Sequence, residues 1–87
     1  MGKYKLLFKR SVLKDLHNIP NKDVTRIIKC FNSLADNPRA YGCEKLSGQE
    51  RYRIRQGIYR IIYEIKDDSL IVIIVKVAHR SNAYSSI

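Results

Sequence analysis

The sequence predicts an α+β domain: an N-terminal strand, a helical hairpin, then a three-stranded antiparallel meander, forming one small sheet with the helices on one face. Three observations lead there. Two runs of helical period adjoin each other in the first half, residues 51–65 alternate apolar and basic side chains on both sides of Gln56-Gly57, and Leu70 to Val77 is a nearly unbroken β-branched run. Helices grouped ahead of strands, rather than alternating with them, mark this class.

The 87 residues make a single domain spanning 1–87, with no internal repeat or low-complexity tract. Hydrophobic residues at 45% and charged residues at 29% suit a folded globule. No apolar run approaches the roughly 20 residues of a membrane span, and Met1-Gly-Lys-Tyr-Lys5 leads into an alternating segment rather than a signal peptide. The expectation is a soluble cytoplasmic protein with no membrane partner. Met1-Gly2 resembles an acylation signal, but Leu6 stands where that pattern wants Ser or Thr. Seventeen basic residues against eight acidic ones leave a net charge of +9, which favours nucleic acid or an acidic protein as partner. Cys30 and Cys43 lack metal-ligand spacing and read as free thiols in a reducing compartment.

From Lys3 to Lys9, Tyr4, Leu6 and Phe8 alternate with lysines, Leu7 excepted, so this segment is a strand with one buried face. Ser11 is a candidate N-cap for a short helix carrying Val12, Leu13, Leu16 and Ile19, which Pro20 stops. Asn21 can cap a second helix, whose stripe of Val24, Ile27, Ile28, Phe31, Leu34 and Ala35 ends before Asp36-Asn37-Pro38. Ile19-Pro20-Asn21 is too tight for anything but a helical hairpin. His17 reads as packing or surface. Residues 39–50 lack a period and read as a loop, with brief pairing at Lys45-Leu46. Leu70 to Val77, apolar on both faces, should be a strand that is central or covered on both sides.

Between them lies the stretch that bears on function. Arg51, Arg53 and Arg55 share one face of a strand, while Tyr52 and Ile54 share the other. A two-residue loop at Gln56-Gly57 puts Arg53 opposite Arg60; a four-residue loop puts Arg55 there. Either gathers Arg53, Arg55 and Arg60 on one surface, expected to face solvent, and with a two-residue loop at Asp67-Asp68 Val75 would extend the row beside Arg60. Like charges opposed on a sheet cost about 0.2–1 kcal/mol per pair. Guanidinium forks match phosphate, so a phosphate-bearing polyanion explains the arrangement; a solvated face of a basic protein is the plain alternative.

Tyr52-Arg-Ile-Arg55, Gly57, Tyr59-Arg-Ile-Ile-Tyr63, the Asp67-Asp68 turn and Val77-Ala-His-Arg80 followed by Tyr84 resemble the RelE/ParE superfamily of type II toxin–antitoxin toxins. The resemblance covers nearly the whole chain and is greatest to RelE-like messenger RNA endonucleases. It implies a basic sheet face receiving mRNA in the ribosomal A site, a cognate antitoxin partner, and no cofactor. Carried over position by position, Arg53, Arg55, Arg60, His79, Arg80 and Tyr84 fall at positions the family's motif fills; the catalytic set expected from them is Arg53, Arg60, His79, Arg80 and Tyr84, with Arg51, Arg55 and Lys45 expected to bind RNA. Relatives place lysine or arginine at 53 and 55. Arginine holds phosphate but does not serve as a general base.

RNA carries its own nucleophile, the 2′-hydroxyl, so cleavage needs a base, cations for the developing phosphorane charge and a donor for the leaving 5′-oxygen. Arg53, Arg60 and Arg80 suit the second need. Histidine is the side-chain type whose proton moves near neutral pH, so His79 suits base or acid. Tyr84 can stack on a base or exchange a proton. Glu44, Glu50 and Glu64 read as structural partners of the cations, with Glu64 on the Arg60 face. Tyr59, Ile61 and Tyr63 face the other way, toward the core. No Gly-rich phosphate loop, metal-spaced His or Cys pair, or serine nucleophile arrangement is present. A gyrase-inhibiting relative and a non-cleaving RNA-binding module are the competing functions.

Overall fold

The computed structural model describes residues 3–46 and 51–79. In chain order it contains strand β1 (Lys5–Phe8), helices α1 (Arg10–His17) and α2 (Asn21–Asp36), and strands β2 (Glu44–Lys45), β3 (Arg51–Gln56), β4 (Tyr59–Lys66) and β5 (Ile71–His79). The strands form one five-stranded sheet in the order β1-β5-β4-β3-β2, antiparallel except where β1 runs parallel to β5. The expected α+β architecture stands, and the β-branched strand β5 lies inside the sheet, second from one edge. The short strand β2 adds an edge in the segment expected to be mainly loop.

The helices cover the sheet face carrying Tyr59, Ile61, Tyr63 and Ile65 of β4 and Val72, Ile74 and Val77 of β5. These residues make one buried cluster with Val12, Ile27, Phe31 and Leu34. The three β4 side chains expected to point toward the helices therefore do so. Tyr63 is fully buried and still satisfies its hydroxyl, which donates to the Pro38 carbonyl at 2.6 Å. Burial holds that phenol well above its usual pKa. The α2 stripe is narrower than its spacing suggests: Ile28 is exposed, as is Leu13 on α1.

Helix α1 begins one residue before the expected cap, with Lys9 in the capping position and no side-chain cap. Ser11 is instead turned to the sheet, its hydroxyl donating to the Val75 carbonyl at 3.4 Å. Strand β1 pairs only with Ile71–Ile74, and α1 closes the edge of β5 beyond it: the Val77 amide donates to Asp15 Oδ2 at 3.1 Å, and Lys76 Nζ lies 3.6 Å from Asp15 Oδ1. An otherwise open strand edge is thereby satisfied by a side chain. Asn21 is the first residue of α2 rather than its cap, a place taken by Pro20.

Two registers decide the functional face. At the β3–β4 turn the connecting residues are Gly57-Ile58, Gln56 pairs with Tyr59 and Arg55 stands opposite Arg60. This is the register of the four-residue alternative. Gly57 has φ +62°, the conformation that a two-residue turn with glycine in its first central position uses. The β4–β5 connection is longer than Asp67-Asp68: a 3₁₀ turn over Asp67–Ser69 is followed by Leu70 at φ +54°, and Lys66 pairs with Ile71. A bulge then leaves Val75 without a counterpart between Ile62 and Tyr63, so Ala78, not Val75, faces Arg60. The predicted row through positions 53, 60 and 75 is replaced by Arg55, Arg60 and Ala78.

Candidate nucleic-acid interface

Directly opposed residues of a sheet share a face. The side away from the core cluster therefore carries Glu44 of β2, Arg51, Arg53 and Arg55 of β3, Arg60, Ile62 and Glu64 of β4, and Lys76 and Ala78 of β5. Arg53 and Arg60 lie diagonally across the β3–β4 pair on this one surface. Arg55 is exposed, as a phosphate-binding group can be. Arg60 is not: only 7% of it is accessible, contrary to the expectation that it faces solvent. It sits on an inner strand, flanked by Arg55 on β3 and Ala78 on β5.

The carboxylates among these cations take defined partners. Arg51 Nε donates to Glu64 Oε2 at 3.0 Å, and Lys66 Nζ lies 3.8 Å from Glu64 Oε1. Glu64 is thus on the predicted face and in the predicted structural role. Arg53 Nη2 donates to Glu44 Oε2 at 2.8 Å across the β2–β3 pair. The Arg53 hydrogen bond, its charge and the more distant charges of Arg55 and Arg60 hold the Glu44 carboxyl below its usual range. Three arginines of the face thus act on one acid.

Other predicted site residues are placed elsewhere. Lys45 is exposed and opposes Tyr52, on the side of the sheet away from Arg53. His79 opposes Tyr59, and its ring meets the Tyr59 ring edge-on at 5.9 Å; the register therefore puts it on the core side, not beside Arg60. Arg80 and Tyr84, the predicted tail arginine and tyrosine, lie outside the described residues. Among the described residues no group of three or more His, Cys, Asp or Glu side chains could hold a metal ion.

A residue not singled out from the sequence organises the opposite side. Arg39 forks onto Asp67, Nη1 to Oδ1 at 3.1 Å and Nη2 to Oδ2 at 2.7 Å, while its guanidinium lies 5.6 Å from the centre of the Tyr52 ring. Tyr52 stacks on Tyr63 at 5.8 Å, and the Tyr4 hydroxyl donates to Asp67 at 2.9 Å. Arg39, then Tyr4, hold the Asp67 carboxyl below its usual pKa. Arg39 precedes the turn at Asp67 by 28 residues, and only the fold brings them together.

Residues 6–84 match the family described as ParE toxin of type II toxin–antitoxin system, parDE. The chain belongs to the RelE/ParE toxin family. It is 36% identical over 85 residues to the toxin RelE3 of Methanocaldococcus jannaschii, a match covering 92% of this chain and 94% of that toxin. Among solved structures, the toxin–antitoxin complex RelBE2 of Mycobacterium tuberculosis is similar with TM-score 0.80 and 27% identity, over 90% of this chain and 99% of that one. The isolated E. coli RelE toxin is similar with TM-score 0.76 and 26% identity, over 95% and 93% of the two chains. This protein is thus a RelE-family toxin of a toxin–antitoxin system with a RelE-like fold.

Proposed function

We propose that this RelE/ParE-family toxin is a ribosome-dependent endoribonuclease that cleaves messenger RNA in the ribosomal A site. The observation that supports this reading is the β3–β4 register, which gathers Arg53, Arg55 and Arg60 on the sheet face opposite the core. Cleavage proceeds by attack of the 2′-hydroxyl on the adjacent phosphorus, with release of the 5′-oxygen. Arg53 and Arg60, joined by Arg80, stabilise the charge that builds on the phosphorane oxygens, while Arg51 and Arg55 orient the strand. His79 is turned to the Tyr59 side of the sheet, away from the face that carries Arg53 and Arg60. Tyr84 stacks on a base of the message. The ribosome holds the message in line, an orientation worth up to ~7–11 kcal/mol of barrier.

A cognate antitoxin is the second proposed partner, since the similar structure from Mycobacterium tuberculosis is a toxin–antitoxin complex. The ParE description of the matched family favours one alternative, a non-enzymatic DNA gyrase inhibitor. A cell-free translation reaction supplied with the toxin distinguishes them. New message ends within translated codons support the endoribonuclease; intact message with gyrase-dependent DNA breaks overturns it.

A further inference from the structure

Glu44 lies where an RNA-binding face has least use for a carboxylate. The free protein places it on the arginine side of the sheet, opposite Arg53, with 2.8 Å between Oε2 and Nη2. The Arg53 side chain is 17% accessible and that of Glu44 59%, so the guanidinium is fixed in the sheet while the carboxylate stands at its solvent edge. Phosphate and carboxylate both present anionic oxygens to a guanidinium fork at similar distances. An oxygen anion held at 2.8 Å by Arg53, within the field of Arg55 and Arg60, therefore marks a place where a phosphate oxygen can be held.

We infer that the Glu44 carboxylate occupies a phosphate subsite of the arginine face, and that an RNA backbone phosphate displaces it from Arg53. This rests on the reading of the face as an RNA-binding surface and adds to it the position of one phosphate and the residue that guards it. Strand β2 is suited to the exchange. It is a two-residue edge strand, so Glu44 can swing from Arg53 without breaking the inner ladder of β3, β4 and β5. The positions of Glu64 and Asp67 are different: each is tied to another cation, Arg51 or Arg39, and neither opposes Arg53. The exchange makes the free toxin a weaker RNA binder than its arginines alone dictate, because the incoming phosphate competes with an anion already in place.

Binding of a short single-stranded 2′-O-methyl RNA, which lacks the nucleophile and is not cut, tests the inference by fluorescence anisotropy on the full chain. Glu44→Gln keeps the side-chain shape and removes the charge. It is expected to bind roughly three- to fivefold tighter than the unaltered toxin, the size of an exposed ion pair. Asp68→Asn removes the same charge from the exposed β4–β5 turn and is expected to leave affinity nearly unchanged at physiological salt. The gain from Glu44→Gln is expected to vanish in an Arg53→Ala background. Equal gains from Glu44→Gln and Asp68→Asn, or a gain that survives loss of Arg53, would overturn the subsite while leaving the arginine face as the RNA surface. If Arg53→Ala alone binds as the unaltered toxin does, the RNA reading of the face fails, and the subsite with it.

Discussion

Arg60 shows how burial changes what a guanidinium can do. At 7% accessibility it is held in a fixed position between two neighbouring strands, and a group fixed before substrate arrives needs no reorganisation as charge develops. Arg60→Lys keeps the charge and most of the apolar stem but loses the planar fork. It is expected to lower cleavage about 10²-fold, the cost of removing one preorganised donor, with an unchanged thermal midpoint as the control. Arg60→Ala is the less useful variant, because it also empties a packed position. The residue scale is also where the sequence was most and least legible. Alternation alone separated Arg53, Arg55 and Arg60 from Tyr59, Ile61 and Tyr63. It named Glu44 as a partner of the cations but could not single out Arg53 for it, since residues 39–50 carry no period, nor show that His79 turns away from Arg60, which depends on a bulge.

At the scale of elements, the hairpin and the bulge set the face between them. Its inward and outward sets were readable because apolar and basic residues alternate on both sides of Gly57. Its turn was misplaced by one residue because Gln56-Gly57 and Gly57-Ile58 both contain the glycine that such a turn needs. The β5 segment Ile71-Val-Ile-Ile-Val75 is apolar throughout, so nothing in its pattern could announce a bulge at Val75 or the four-residue connection before it. Gly57→Ala places a Cβ in open space, and its cost comes from the positive φ alone. We expect about 1–2 kcal/mol of destabilisation in urea unfolding. Phe31→Ala, in contrast, empties the contact of α2 with the core and is expected to cost ~3–5 kcal/mol in the same measurement. A smaller loss for Phe31 than for Gly57 would contradict the packing described.

For the whole molecule, a net charge of +9 gathers in part on the side of the sheet away from the helices, while the core side is closed by packing and by the Arg39–Asp67 clasp. Asp67 and Glu44 both have folded pKa values below their unfolded ones, so their pairing stabilises the fold above the ordinary carboxylate range. That contribution is lost as pH falls through the depressed values. Stability should accordingly decline on acidification below about pH 4, and Asp67→Asn should flatten this limb of the profile while lowering stability at neutral pH. Message-end mapping on translating ribosomes, run with the unaltered toxin, Arg53→Ala and a Lys22→Ala/Lys29→Ala pair from α2, tests the central claim most directly. The account predicts cuts within codons for the unaltered toxin, their loss with Arg53→Ala, and their persistence when the helix lysines are removed. Undiminished cutting by Arg53→Ala would contradict it.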